Sequence, residues 1–178
     1  MSRRLEANSH PANDQPVFIR AANPNDVPAI LNIEKSAPSA AHWSADHYRS
    51  RILSQSQAAC FLVAECHDDS NKPQLGGFLC ARIVAAEWEV ENVVVHPLFR
   101  RRRIATQLMQ SLIENWDAAA GAVLLLEVRE SNMAARDLYE RHGFREVGRR
   151  PSYYRDPDES AVLYKFDRQT IKSRRVNS

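Results

Sequence analysis

Four stretches of the chain carry apolar residues at the three- and four-residue spacing of a single helix face. A residue that favours the helix N-cap precedes three of them, and glycine, a common residue just past a helix end, follows two. The predicted helices begin at Asn23-Pro24, follow Ser44, cover residues 103–119 before Gly121, and run from Ser131 or Asn132 to about His142 before Gly143. Their apolar stripes include Val27, Ile30, Leu31 and Ile33, then Tyr48, Ile52 and Leu53, then Ile104, Leu108, Leu112 and Trp116.

Shorter apolar runs lie between these helices and are bounded by proline, glycine or polar residues, which is the pattern of β-strands. They cover residues 17–20, 60–66, 75–85, 88–95, 122–128, 144–149 and 160–166. The run AVLLLEV at 122–128 is nearly continuous and predicts a strand buried on both faces. The runs at 75–85 and 88–95 predict an antiparallel pair, and residues 150–159 are expected to form a loop. This order of elements predicts a mixed α/β sheet with helices on its faces.

Length and composition agree with one globular domain. The chain has 178 residues, of which 44% are hydrophobic and 26% charged, so we expect a single domain over residues 17–167. Residues 1–16 are polar and expected to be flexible, and the basic residues 168–178 are expected to form a disordered tail. Lys and Arg exceed Asp and Glu by only 24 − 22 = 2, which does not predict nucleic-acid binding over the whole surface.

The sequence also bears on cellular location and on metal binding. No run has the length and apolarity of a signal peptide or of a membrane span, so we expect neither export nor membrane insertion. Cys60, Cys66 and Cys80 are an odd number, without C-x-x-C spacing or a nearby His/Cys ligand set. We therefore expect buried structural thiols, no metal, and a reduced cytoplasmic protein.

A run of four arginines, Arg100, Arg101, Arg102 and Arg103, separates the strand at 88–95 from the third helix. The unpaired N–H groups at a helix N-terminus can hold a pyrophosphate, and arginine side chains add positive charge there. The same run is equally consistent with a solvated basic turn. It is also consistent with a contact to nucleic-acid phosphates, which requires no more specific motif.

One carboxylate, Glu127, interrupts the apolar run AVLLLEV. If it is buried, its pKa is expected to be raised toward neutrality, as a base that deprotonates an amine requires. Alternatively, Glu127 forms an ion pair with Arg129 or Arg145. Tyr139 lies seven positions after Asn132, so the two share one face of the fourth helix and can line the same cleft. Alternatively, Tyr139 is an aromatic residue of the core.

The segments VVVHPLFRRRRIATQLM and LLLEVRESNMAARDLYERHGFREVGRRPSYY resemble the core of the GNAT N-acetyltransferase family. Within it they resemble the bacterial ribosomal-protein-alanine N-acetyltransferases more closely. The order of elements is similar over residues 18–166, and the motifs are specific over residues 91–154. The resemblance implies an α/β fold of the GNAT type, in which helices flank both faces of a mixed, mostly antiparallel central sheet. It also implies acetyl-CoA as the acetyl donor, without a metal.

The resemblance also implies which residues bind the cofactor. In that family the main chain of the strand before the turn binds the pantetheine arm and the acetyl group. The turn resembles the pyrophosphate loop, whose pattern is Arg or Gln, two variable residues, Gly, one variable residue, then Gly or Ala. Arg103 occupies the position of the usual glycine. Glycine allows a positive φ and a close approach of the backbone to phosphate, and arginine offers neither freely. The implied cofactor-binding residues are Val93, Val94, Val95, Arg100, Arg101, Arg102, Arg103, Ile104, Ala105, Thr106 and Asn132.

By the same resemblance, Glu127 is the general base and Tyr139 the general acid of a direct transfer without a covalent enzyme intermediate. Glu89 and Glu91 are rival bases, because acidic residues on the corresponding strand have that role in other branches of the family. Glu127 ranks first, since it matches the residue that is the base in the more closely resembled enzymes.

The acceptor side is implied by two further segments. The loop with Tyr153 and Tyr154 and the segment AAHWS around His42 resemble the two sides of an acceptor-peptide groove. The implied reaction is acetylation of the α-amino group of a protein N-terminus, with an N-terminal alanine of a ribosomal small-subunit protein as the suggested acceptor. Alternative acceptors are a lysine side chain or a small amine. A non-catalytic ribosome- or RNA-binding module is the third hypothesis, but it has no need of a retained base, acid and cofactor-binding asparagine. We expect a monomer or weak dimer, without membrane or direct nucleic-acid binding.

Overall fold

The computed structural model describes residues 16–37, 40–55, 59–67, 70–85, 87–115 and 123–167. Within these ranges the helices are α1 (Val27–Lys35), α2 (Ala45–Leu53), α3 (Ile104–Asn115) and α4 (Met133–Arg141). The strands are β1 (Phe18–Ala21), β2 (Ala59–His67), β3 (Pro73–Val84), β4 (Glu87–Val95), β5 (Val123–Arg129), β6 (Arg145–Arg155) and β7 (Asp158–Asp167). The predictions for residues 1–15 and 168–178, and for Trp116 and Gly121, concern residues outside these ranges.

The seven strands form one sheet in the order β1-β2-β3-β4-β5-β7-β6. Neighbouring strands are antiparallel except for β4 and β5, which run parallel. The predicted mixed and mostly antiparallel sheet is therefore confirmed.

Helices cover both faces of the sheet, as predicted. On one face, Ile30 of α1 and Tyr48 of α2 pack against Phe61 and Phe78, which belong to β2 and β3. On the other face, the buried side of α3 packs against alternate residues of the same strands, including Leu79. The alternation of side chains along a strand places neighbouring residues in two separate cores, which we call the α1–α2 core and the α3 core after the helices that cover them.

A β-bulge at Glu91 changes which face the side chains of β4 occupy. Cys80 of β3 pairs with Asn92 and Ala81 pairs with Val90, so Glu91 is an additional residue in β4. Before the bulge, Val90 belongs to the α3 core, and after it Val94 belongs to the α1–α2 core. A bulge bends the strand that contains it and increases its twist.

Beyond this bulge β4 and β5 separate. Their pairing comprises Trp88–Leu124, Glu89–Leu125 and Val90–Leu126. β4 nevertheless continues along β3 to Val95, and β5 continues along β7 to Arg129. The two parallel strands therefore diverge toward their carboxyl ends, which opens the sheet at its centre.

The prediction that residues 122–128 are buried on both faces is wrong. Leu124, Leu126 and Val128 are buried, whereas Leu125 and Glu127 between them are only half-buried. The physical reason is that the second face of β5 borders open grooves, which Leu125 and Glu127 line.

The predicted loop at residues 150–159 is also wrong, because most of it is strand. β6 continues to Arg155, and after a turn at Asp156 and Pro157 β7 begins at Asp158. The register shifts between Arg150 and Tyr154. Pro151 lies in this irregular part, where a residue without an N–H group is tolerated.

The remaining differences at element ends are small. A 3-10 turn at Pro24–Asp26 precedes α1, and Asn23 and Asp26 form a capping box there.

Cys60, Cys66 and Cys80 are free thiols, the first half-buried and the other two buried, and burial raises the pKa of Cys60 to about 11. None of the described helices is long and apolar enough to cross a membrane. The described side chains include no group of three or more His, Cys, Asp and Glu placed to hold a metal ion.

Candidate active site

The separation of β4 and β5 forms a cleft with a volume of about 460 Å³. Residues from four parts of the chain line it: the segment before α2, strand β4, the end of β5 with α4, and strand β6. The lining residues are Ala40, Ala41, Trp43, Glu89, Val90, Glu91, Asn92, Val93, Val94, Glu127, Val128, Arg129, Asn132, Ala135, Tyr139, Tyr153 and Tyr154.

Strand β4 borders this cleft on both sides of its bulge. Val93 and Val94 line it, whereas Val95 lies one position further along the strand and is not among the lining residues. Because the pairing with β5 ends at Val90, the edge of β4 beyond that point faces the opening instead of β5. Its N–H and C=O groups can therefore bind an extended amide-containing chain in the manner of an added strand.

The arginine turn lies between the end of β4 and the start of α3. Arg101 and Arg103 have positive φ values of 62° and 57°, while Arg100 is extended with φ −63°. The Arg103 carbonyl accepts a hydrogen bond from the Gln107 N–H at 3.0 Å, so Arg103 is the N-cap of α3. Arginine at this position thus adopts the left-handed conformation that the usual glycine would adopt without strain.

The four arginines are not equivalent. Arg100, Arg101 and Arg103 are exposed, but Arg102 is half-buried. Its Nη1 donates to the His67 carbonyl at 3.2 Å, and its guanidinium lies 5.4 Å from the centre of the Phe99 ring. Arg102 therefore fixes the turn against the end of β2, a role that the sequence did not distinguish.

The rest of the turn begins helix α3. The Ile104 side chain is buried in the α3 core, and Ala105 and Thr106 are half-buried. The Thr106 carbonyl lies 3.3 Å from Nε2 of His142, which follows α4. None of the residues from Arg100 to Thr106 lines the cleft.

Glu127 lies on the opposite face of β5 from the α3 core, and it lines the cleft. Its side chain is 22% exposed, and its Oε1 forms an ion pair with Nη1 of Arg150 at 3.1 Å. The alternative partners that the sequence suggested, Arg129 and Arg145, are wrong. Arg129 instead pairs with Glu159 at 3.3 Å.

Tyr139 belongs to the core and also lines the cleft, so both sequence interpretations of this residue apply. Its ring centre lies 5.9 Å from that of Phe144 and 6.2 Å from that of Tyr164. Burial raises the pKa of the Tyr139 hydroxyl, which therefore stays protonated at neutral pH. Asn132 lines the same cleft, and its Oδ1 caps α4 by accepting from the Ala135 N–H at 3.2 Å.

The rival carboxylates differ in their surroundings. Glu91 is 9% exposed, pairs with Arg51 Nη2 at 2.9 Å and also contacts Nε of Arg82. Two guanidinium groups therefore hold its negative charge. Glu89 is 41% exposed, lies 4.0 Å from Arg82 Nη2, and remains accessible in the cleft.

Strand β6 lines the cleft with Tyr153 and Tyr154. The Tyr153 and Tyr154 rings are perpendicular, with centres 5.1 Å apart, and the Arg129 guanidinium lies 4.1 Å from the centre of the Tyr154 ring. The negative charge of Glu127 raises the pKa of the Tyr153 hydroxyl, which reflects how near the two side chains are. Tyr153 is 48% exposed, so a ligand can reach its ring.

Another part of the lining is the short segment before α2. Ala40, Ala41 and Trp43 line the cleft. His42, the centre of the predicted partner segment, has a positive φ of 54° and does not line the cleft. This part of the lining therefore combines two small side chains with one indole ring.

Two features of the cleft were not predicted from the sequence. The first is the Arg150–Glu127 ion pair, which depends on the unpredicted extension of β6. The second is a buried group of hydrogen bonds behind the Trp43 wall, in which Glu34 of α1 takes part. Glu34 lies four positions after Ile30 and therefore falls on the buried stripe of its helix, a signal that could have identified it.

Comparison with known families gives one match that covers most of the described structure. The model of the acetyltransferase (GNAT) family matches residues 27–144. The chain is 31% identical over 147 residues to the ribosomal protein bS18-alanine N-acetyltransferase of Escherichia coli strain K12, covering 82% of this chain and 93% of the relative.

Solved structures of acetyltransferases have a fold similar to that of this chain. The crystal structure of the ribosomal-protein-S18-alanine N-acetyltransferase from Escherichia coli superimposes with a TM-score of 0.68 at 28% identity, covering 85% of this chain and 94% of that chain. The Arabidopsis thaliana NAA60 in complex with acetyl-CoA superimposes with a TM-score of 0.74 at 18% identity, covering 86% and 99% respectively. At 18% identity the second likeness shows the fold alone.

Proposed function

This chain belongs to the GNAT family of acetyltransferases, and we propose that it acetylates the α-amino group of a protein N-terminus. The proposed acceptor is an N-terminal alanine of a ribosomal small-subunit protein, and the proposed location of this chain is the cytoplasm. The E. coli relative is named for this activity and matches over 93% of its length, which supports this choice. The observation that carries the proposal is the cleft itself, where Glu127 and Tyr139 approach one space from separate elements.

The GNAT family uses acetyl-CoA, and the proposed position of this co-substrate follows from β4 and α3. The pantetheine arm would bind along the edge of β4 at Val93, Val94 and Val95. The pyrophosphate would bind at the N-terminus of α3, where Ile104, Ala105 and Thr106 present unpaired N–H groups. Arg100, Arg101 and Arg103 are exposed and can add positive charge, whereas Arg102 contributes by holding the turn in place. Asn132, across the gap from β4, is the proposed contact of the pantetheine arm on the α4 side.

The proposed reaction is direct transfer. Glu127, directly or through a water molecule, accepts a proton from the α-ammonium group, whose pKa in the free state is roughly 7.7–8.0. The neutral amine attacks the thioester carbonyl, forming the C–N bond, and the C–S bond then breaks. Tyr139 donates its proton to the departing CoA thiolate. The attacking nitrogen then loses its second proton, which restores the Tyr139 hydroxyl through water, and the proton on Glu127 passes to solvent. The raised pKa of Tyr139 suits this role, because the hydroxyl is still protonated when the thiolate leaves.

The Arg150–Glu127 ion pair fits a base that becomes available when the acceptor binds. The Arg150 side chain is 55% exposed, so a positively charged N-terminus that enters the cleft can displace it at modest cost. Glu91 is a weaker candidate, since its charge is already held by two arginines. Glu89 is the remaining rival.

The experiment that tests the proposed function measures CoA-thiol release by the purified protein with three acceptors. These are a peptide that begins with alanine, the same peptide with a blocked N-terminus and one internal lysine, and spermidine. We expect rapid turnover with the free N-terminus alone. Turnover with only the blocked peptide or spermidine would contradict an N-terminal acceptor and place the protein in another branch of the family.

Variants assign the roles. Glu127→Gln and Tyr139→Phe are each expected to lower kcat by about 10² or more, the usual contribution of a general acid or base. Glu89→Gln is the matched control, since it removes a carboxylate from the same cleft. A larger loss in Glu89→Gln than in Glu127→Gln would transfer the role of base to Glu89.

A further inference from the structure

A buried group of hydrogen bonds connects α1, α2 and β4. It lies behind the part of the cleft that Trp43 lines, where the acceptor is proposed to enter. Glu34 of α1 is 3% exposed, and its Oε1 accepts from the Trp43 N–H at 3.2 Å and from the hydroxyl of Tyr48. The Tyr48 oxygen in turn accepts from Nδ2 of Asn92 at 3.4 Å. We call these four residues the Glu34 network.

The two ends of the Glu34 network both line the cleft, and they belong to different parts of the chain. Trp43 belongs to the wall that it forms with Ala40 and Ala41, and Asn92 lines the cleft from β4. Asn92 also follows the bulge directly and precedes Val93, where the proposed acetyl-CoA edge of the strand begins. The network therefore joins the acceptor wall to the strand that would present the acetyl group.

Packing alone does not account for these polar groups. Glu34 occupies a position on the buried stripe of α1, where an apolar side chain would normally lie, and burying a carboxylate is costly unless hydrogen bonds satisfy it. The Tyr48 ring already packs against Phe61 and Phe78, with ring centres 5.9 and 5.8 Å away. The core can thus hold the ring without its hydroxyl, and what the hydroxyl adds is the connection between Glu34 and Asn92.

We propose that Glu34 and Tyr48 are positioning residues that set the distance between the Trp43 wall and β4, and with it the affinity for the acceptor. This inference rests on the proposed function only in assuming that the acceptor enters between that wall and Tyr153. Neither Glu34 nor Tyr48 lines the cleft, so both act through Trp43 and Asn92.

The test uses the full chain with Tyr48→Phe, Glu34→Ala and Glu34→Gln. Glutamine retains a side-chain oxygen that can accept from Trp43, so it is the conservative variant. Tyr164→Phe is the matched control. Tyr164 is also fully buried, and its hydroxyl donates to Glu140 at 2.6 Å, but it lies outside the network.

Two quantities are measured: the KM values for acceptor and for acetyl-CoA, and the rate of hydrogen exchange of the Trp43 amide by mass spectrometry of the segment 40–48. We expect Tyr48→Phe and Glu34→Ala to raise the acceptor KM about tenfold, because both variants remove the hydrogen bond between Tyr48 and Glu34 that holds the network together. The acetyl-CoA KM and kcat should stay within about twofold, because the residues act on acceptor binding. Exchange at Trp43 should be faster in Glu34→Ala, and Glu34→Gln should restore both quantities.

The inference is overturned if acceptor KM is unchanged in both disruptive variants, or if Tyr164→Phe raises it equally. It is also overturned if the acetyl-CoA KM rises in parallel, which would indicate a general loss of structure. The proposed function fails separately, when the wild-type chain does not acetylate a free N-terminus. If the chain acetylates a different acceptor, KM is compared with that acceptor. If it acetylates none, hydrogen exchange alone is the test, and an unchanged exchange rate at Trp43 in Glu34→Ala refutes the network.

Discussion

Arg103 gives a quantitative prediction because arginine here occupies a left-handed position. Its φ of 57° is one that L side chains adopt at a cost, and glycine adopts it freely. The Arg103 carbonyl caps the first turn of α3 by accepting from Gln107, and this main-chain bond does not depend on the side chain. Glycine is also well tolerated at an N-cap. The substitution Arg103→Gly should therefore relieve strain without loss of the cap.

The expected gain in the free energy of unfolding follows from two opposing effects. The left-handed conformation costs a residue with a Cβ atom about 1–2 kcal/mol. Glycine costs about 0.4–1 kcal/mol more than other residues because it makes the unfolded chain more flexible. The net stabilisation is about 1 kcal/mol, which raises the Tm of a domain of this size by about 2–4 °C.

The same substitution should weaken the binding of acetyl-CoA while it stabilises the fold. Removing one exposed positive charge next to a bound pyrophosphate should weaken acetyl-CoA binding by roughly 0.2–1 kcal/mol at low salt, the contribution of an exposed ion pair, which is up to about fivefold in Kd. This loss should shrink as ionic strength rises, because salt screens exposed charges.

The assay is thermal unfolding with and without acetyl-CoA, together with acetyl-CoA Kd by calorimetry at two salt concentrations. Arg100→Gly is the matched control, since Arg100 is in the same turn and carries the same charge but has φ −63°. It should lose affinity in the same way without gaining stability. If Arg103→Gly is no more stable than the wild type, or if Arg100→Gly gains as much, the argument from backbone strain is refuted.

Three further predictions concern packing and pH. A Cβ atom on Gly77 would lie 2.7 Å from the Val94 carbonyl oxygen, so Gly77→Ala should cost about 1–3 kcal/mol and raise the KM for acetyl-CoA, measured by urea unfolding and steady-state kinetics. Burial opposes ionisation of Asp26, but hydrogen bonds from Arg20 and a backbone N–H lower its pKa overall, so Asp26→Asn should cost about 1.5–3 kcal/mol at pH 7. Because the folded pKa lies below the unfolded value of about 3.9, this stabilisation is complete above about pH 5 and is lost as pH falls through the folded pKa. Burial raises the pKa of Tyr139, so kcat should show no decline due to this group between pH 7 and about pH 10 in a pH–rate profile.

Each of these predictions has a clear opposite. Gly148→Ala is the control for Gly77→Ala, since a Cβ atom on Gly148 meets nothing within 4 Å. An equal loss of stability in Gly77→Ala and Gly148→Ala would contradict the packing argument. A constant effect of Asp26→Asn from pH 7 down to about pH 2 would show that the ion pair with Arg20 is not its cause. A fall of kcat that is half complete near pH 10 and disappears in Tyr139→Phe would show that the hydroxyl ionises at its ordinary pKa.

Periodicity identified the helices and strands well because it depends on burial of one face, which the structure confirms for α1 and α3. It failed where burial was not the deciding factor. The outer part of β6 is almost wholly exposed and contains Pro151, so its sequence has neither alternation nor apolar character. It is a strand because it pairs with β7, a contact that local sequence does not encode.

For the site, the resemblance placed Glu127 and Tyr139 in one cleft, and the structure brings both side chains there. It did not give the partner of Glu127, because Arg150 lies 23 positions later in the sequence and reaches it only across the sheet. The Glu34 network was missed for a similar reason, since Asn92 lies 44 positions from Tyr48. Such contacts depend on tertiary structure and have no local spacing to detect.

The central claim is transfer of acetyl to an N-terminal α-amino group, and a single peptide with two competing amines tests it most directly. The peptide begins with a free alanine and contains one internal lysine, and tandem mass spectrometry after incubation with acetyl-CoA and the purified chain locates the acetyl group. The account predicts acetyl on the alanine nitrogen alone, with the signal lost in Glu127→Gln. Acetyl on the lysine side chain, or equal amounts on both amines, would contradict it.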